Sequence, residues 1–235
     1  MKNKKMKEKA RNFLDRRTED IQEKRFRQEL FEVSTYVRFV IYAVLGKMAE
    51  ADDFYDQNKA VIHKVATAIR ERTKLVVPSL LYRGLLLKRK PQTPFLPPDP
   101  RGFMPWISTT ENKGVACYFA NPSSSMAPPD YMGFDLGKEG VIALIPGDAR
   151  RVLWCHHYRH IPLSNGMTLD LFEYAKNTLS PEYFHQFTHN ALTQQEYILT
   201  NSNERLRYEF LDSCPPLDEL ETLFGYAQEI PYEVE

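Results

Sequence analysis

The chain changes character at Leu75, and that change constrains the fold more than any single motif. Residues 7–29 read as a charged helix, and residues 30–49 carry apolar side chains at spacings that suit a buried helix. A third helix is expected over about 53–73, capped by Asp52 or Asp53, with Tyr55, Ala60, Ile62, Val65 and Ile69 on its apolar side. From Leu75 onward the apolar runs are of β type. Residues 75–87 form the first, with Pro78 at its entrance or edge, and 105–109, 140–146, 150–155, 196–200 and 205–211 follow. Between them, 110–121 reads as a short helix capped by Thr109 or Thr110, and 168–176 and 181–190 read as short helices or turns. The proline-rich stretch 91–105 and the Ser/Pro/Gly-rich stretch 121–139 read as loops. Helices first, then strands with short excursions, predicts an α+β fold. The divisions are a helical segment over 1–74, a core over 75–215 and an acidic tail over 216–235.

Composition narrows the class. A chain of 235 residues suffices for one well-buried domain, and 43% hydrophobic with 26% charged residues is ordinary for a soluble globular protein. No run of eighteen apolar residues exists, so no membrane insertion is expected. The basic start has no apolar segment after it, and Glu8, Asp15, Glu19, Asp20 and Glu23 argue against a transit peptide, so a cytoplasmic protein is expected. Cys117, Cys155 and Cys214 are odd in number and widely spaced, which suggests reduced thiols. Net charge is zero but uneven: residues 2–27 hold eleven Lys/Arg against five acids, and residues 209–235 hold eight acids and no base. Solvated helix faces and an acidic tail account for this pattern, and the sharper alternative is a basic arm that approaches nucleic acid or an acidic protein.

Three segments carry chemistry. The first is Leu81-Tyr82-Arg83-Gly84, where an arginine among leucines needs an anionic partner and the glycine permits close approach to the backbone. The second is Trp106-Ile107-Ser108-Thr109-Thr110, leading to Tyr118-Phe119-Ala120; a helix cap would use only one of its three hydroxyls. The third is Gln194-Gln195-Glu196, at the entrance to an apolar strand. Period-two alternation there would put Gln194 and Glu196 on one face.

In this order the three segments resemble the Arg-Ser-Glu class of mono-ADP-ribosyltransferases, which includes clostridial-type toxins and the transferases of tailed phages. The resemblance covers about residues 75–215. It implies a core of two packed, mainly antiparallel sheets behind an N-terminal helical layer, with NAD as co-substrate and no metal. By the resemblance, Arg83 meets the NAD phosphates and nicotinamide ribose, and the Gly84 backbone meets the nicotinamide carboxamide. Ser108 steers Glu196, Thr109 and Thr110 complete the motif, and Glu196 is the catalytic acid position. Gln194 orients the acceptor, a protein side chain or a nucleic acid base, and in place of a glutamate it tilts the choice away from arginine. In a phage-encoded protein the setting would be the host cytoplasm.

The chain departs from the class in the 121–139 loop, which has Tyr131 and Phe134 but no arginine for a second phosphate contact. The alternatives are an NAD glycohydrolase using the same site and, in another class, a non-catalytic interaction protein on the same fold. His156, His157 and His160 beside Cys155 lack a CxxC or HExxH partner and read as a histidine-rich surface turn. Cys117 reads as packing, and no dinucleotide-type or P-loop glycine motif is present.

Overall fold

The structure is a computed structural model. It describes the backbone over residues 2–87, 90–96, 105–123, 139–202 and 205–225, with side chains from residue 21 to residue 222 of those ranges. Tyr131, Phe134 and most of the two long loops lie outside the described residues.

The two helices expected over 7–49 are one helix, α1 (Lys2–Val44), because no proline or glycine interrupts the chain before Gly46. Gly46 ends it at φ +70°, with its N–H bonded to Ala43 O and that of Lys47 to Tyr42 O, the paired closure of a Schellman turn. The turn passes directly into α2 (Met48–Thr73), which starts before Asp52 and Asp53 and has Lys47 at its N-cap with no side-chain bond. The aspartates are therefore not the cap. Tyr55, Ile62, Val65 and Ile69 are buried as expected, whereas Ala60 is exposed.

The strands are β1 (Leu80–Leu87), β2 (Trp106–Thr110), β3 (Glu139–Pro146), β4 (Val152–Cys155), β5 (His160–Pro162), β6 (Thr168–Asp170), β7 (Glu196–Thr200) and β8 (Arg207–Phe210). The helices after α2 are α3 (Lys113–Ala120), α4 (Leu171–Thr178), α5 (Pro181–Thr193) and α6 (Leu217–Gly225). Thus α+β holds. Pro78 precedes β1 as its entry, and Asp170 and Ser180 cap α4 and α5. Helix α6 lies where an acidic tail was expected; its Leu220 is buried against α3.

Six strands form an antiparallel sheet in the order β4-β7-β2-β1-β3-β8, and β5 with β6 forms a separate hairpin. The sheet is not uniform. Strand β1 pairs with β3 from Leu80↔Pro146 to Leu87↔Glu139, and β2 pairs with β7 from Trp106↔Thr200 to Thr110↔Glu196. Strands β1 and β2 meet at one register pair, Tyr82↔Thr110. Where two packed sheets were expected, the six strands of this sheet divide into two three-stranded halves joined along this seam.

The halves are covered by different helices, although Leu81 of β1 and Ile145 of β3 share the core of the first half. The α1–α2 hairpin covers the β4-β7-β2 half: Tyr36 Oη donates to Leu153 O at 2.8 Å, the Phe39 and Trp106 rings meet edge-on at 5.6 Å, and Arg70 donates to Val152 O at 3.0 Å. The other half is covered by α3, packed on Gly84 and Gly140, two glycines on one face of the β1–β3 pair. A Cβ on Gly84 would stand 2.1 Å from Ala116 O, so helix packing alone demands glycine there.

Contrary to the expectation of reduced thiols, Cys117 of α3 is disulfide-bonded to Cys214, with Cα atoms 5.8 Å apart. The 97-residue separation hid a pairing that the fold makes adjacent. Cys155 is free and buried, and burial pushes its thiol up to about 12.

Candidate active site

Ser108 lies opposite Ile198 and Thr110 opposite Glu196, so Ser108 and Glu196 are diagonal neighbours on one face of β2 and β7. The Ser108 hydroxyl donates to Glu196 Oε1. The carboxylate is 3% exposed, and Oε2 is buried without a hydrogen-bond partner among the described residues. Burial raises its carboxyl to about 7, against the opposing pulls of the Ser108 hydroxyl and the Arg83 guanidinium. Arg83 enters from β1, one residue beyond Tyr82 at the seam, paired with Ala143 on the far side. The structure thus brings together Arg83, Ser108 and Glu196 from three strands.

Two further hydroxyls have backbone duties. Thr109 donates to Tyr197 O at 3.0 Å, locking β2 to β7. Thr110 donates to Gln194 O at 2.6 Å and accepts from Asn112 N at 3.0 Å, fixing the turns before β7 and before α3. The cap of α3 is therefore Asn112, whose side chain accepts from Gly114 N, and neither Thr109 nor Thr110.

Gln194 is not on the strand. It ends α5 in helical conformation (φ −80°, ψ −12°), and Gln195 turns the chain at φ +46° before β7 opens at Glu196. Period-two alternation does not reach Gln194, because a helix end and a left-handed residue intervene. Gln194 is buried, and strand alternation does not put it on one face with Glu196.

Around the same strand end are groups that no sequence motif singled out. Tyr197 Oη donates to Glu111 Oε2 at 3.0 Å, and His156 N donates to Glu196 O at 3.0 Å. Burial holds the His156 imidazole below its ordinary value; His157 adds to this, while Glu111 opposes it. Helix α3 separates Glu111 from the histidines along the chain, along with much else, so local spacing carries no signal of their meeting. A groove of ≈ 460 Å³ between α1, α2 and β5 shares no residue with this site, and charges along it pair with one another, as in Lys64–Glu32 at 2.7 Å and Arg72–Glu29 at 3.8 Å.

A buried carboxylate with one oxygen held and the other without a partner among the described residues, within the field of a guanidinium, can accept a ligand hydroxyl and stabilise positive charge developing next to it. A guanidinium near a sheet seam can bind an anion bidentately. No family model, curated protein or solved structure matches the chain.

Proposed function

We propose that this chain is a mono-ADP-ribosyltransferase that cleaves the nicotinamide–ribose bond of NAD and transfers ADP-ribose to a macromolecular acceptor, a protein side chain or a nucleic acid base. The observation that carries the reading is the Ser108–Glu196 hydrogen bond within reach of the Arg83 charge, made by residues distant in sequence. It rests as well on the motif resemblance. Cleavage of the bond develops positive charge on the ribose, as in glycoside hydrolysis, and nicotinamide departs as a neutral ring. Ionised Glu196 stabilises that charge and holds a ribose hydroxyl through Oε2, while Ser108 fixes Oε1. Arg83 holds phosphate. In this reading Thr109 and Thr110 act through the backbone they tie down, and Gly84 offers main-chain groups on a strand whose seam-side edge has one paired residue.

A glycohydrolase, in which water attacks the ribose, gains from one finding: Gln194, the acceptor position by resemblance, is buried at the end of α5. One assay tests both readings. The full chain is incubated with adenylate-labelled NAD and cell lysate, with and without nuclease, and nicotinamide release and macromolecular label are followed together. Transferase activity gives both signals, and glycohydrolase activity gives release alone. Neither signal in wild-type protein, or equal release from folded Glu196→Gln, refutes the proposed chemistry.

A further inference from the structure

The histidine turn acquires a partner in the fold. Glu111 follows β2, His156 and His157 follow β4, and β7 runs between those two strands, so the three side chains gather over Tyr197. Each offers a ligand atom, and the three atoms all lie within 4.8 Å of one another. The geometry points to a divalent-metal site formed by Glu111, His156 and His157, taking a zinc-type ion through two imidazoles and one carboxylate.

Several observations agree. His156 Nε2 is 3.4 Å from Glu111 Oε1, which is long for a charge-assisted hydrogen bond. Two ligands held at about 2.0–2.1 Å by one tetrahedral ion stand roughly 3.3–3.4 Å apart. The pair is thus spaced as if an ion stood between them. The Glu111 carboxylate is fixed: its second oxygen accepts from Tyr197 Oη, the kind of outer contact that orients a ligating carboxylate. His157 is exposed, which leaves a path for the ion from solvent. Three protein ligands leave a fourth position for water or an incoming group.

The bound ion ties the exits of β2 and β4 across β7. Because His156 N also holds the carbonyl of Glu196, the clamp lies one hydrogen bond from that residue's backbone. Ion binding at this turn does not depend on the proposed activity.

The test uses metal-stripped full chain carrying His185→Ala, since His185 and His189 are spaced i,i+4 on α5 and such a pair can bind metal by itself. Co²⁺ is titrated while its visible absorption is recorded, then displaced with Zn²⁺; circular dichroism checks each variant's fold. One ion per chain is expected, with the intense bands of a four-coordinate site. His157→Ala, a change to an exposed side chain, and Glu111→Gln should each weaken binding at least tenfold. Tyr197→Phe, which removes the hydroxyl that holds Glu111, should weaken it by about tenfold. Absence of stoichiometric binding, or binding that His157→Ala and Glu111→Gln leave unchanged, overturns the site.

Discussion

Glu196 is strained by its burial. Its carboxyl titrates near 7 in the folded protein against 4.5 as the ordinary value, so between those pH values the folded chain holds a proton that the unfolded chain has released. Stability therefore falls as pH rises through that window and is flat above it, by an amount on the order of 3 kcal/mol. Glu196→Gln, which removes the ionisation at nearly constant shape, should melt at a higher temperature than wild type at pH 8, with the gap narrowing toward pH 5. The same substitution should lower nicotinamide release by about a hundredfold or more, the scale of removing one preorganised electrostatic group. A less stable mutant at pH 8 would show that the carboxylate is paired better than its surroundings indicate. In the proposed chemistry the active form is ionised, so release by wild type should climb with pH around a midpoint near 7. Arg83 holds that midpoint down, so Arg83→Gln should move it upward; an unmoved profile would detach Arg83 from Glu196. That Ser108 and Glu196 meet near Arg83 was legible in the sequence, because an arginine among leucines and a carboxylate opening an apolar strand are costly without polar partners. Gln194 was misplaced because strand periodicity was extended across a helix end, which only the left-handed Gln195 marks. Glu111 gave no signal, since a carboxylate after a strand is ordinary until the histidines meet it.

Most elements could be read from local pattern. Strands β1, β2, β3, β4, β7 and β8 match the apolar runs that announce them to within a residue or lie inside them, and Ser180-Pro181 opens α5 with a capping hydroxyl and a proline in the first turn. The helix starts were read less well. Two helices merged into α1 because a change in composition is not a break in the backbone, and α2 began at a turn that needed no aspartate. The docking of α3 was not legible, because Gly84 and Gly140 come from different strands and become neighbours only in register. That docking is testable at Gly140, which is none of the candidate site residues. An added Cβ would meet Ala120 O at 2.1 Å and Leu211 Cδ1 at 2.4 Å, and the carbonyl belongs to a helix backbone that cannot yield by rotating. Gly140→Ala should cost about 1–3 kcal/mol of stability, read by denaturant unfolding. An unchanged midpoint would mean that α3 shifts freely on the sheet.

At the scale of the molecule, the sequence order of helices before strands announced α+β, but strand order and the covalent link depend on contacts too distant to read. The Cys117–Cys214 bond closes a long loop containing β3 through β8 and joins α3 to the segment before α6. Reduction, or Cys214→Ser, should lower stability by about 2–5 kcal/mol, with intact-mass analysis confirming the bond in the untreated chain. Equal unfolding midpoints with and without reductant would show that the tether adds nothing to the packing of Leu220. The sheet seam has consequences for the exchange of amide hydrogens with solvent. Strands β3 and β7 have a strand on each edge, and their amides exchange only when a whole half of the sheet opens. Amides of β1 and β2 that face the seam have one register pair to shelter them and exchange through a smaller, more frequent opening. Arg83 and Ser108 stand on opposite rims of that opening, while Glu196 belongs to a slow-exchanging strand. A molecule that touches Arg83 and Glu196 at once closes the gap between the rims, and its arrival would register as a local slowing of deuterium uptake along β1 and β2.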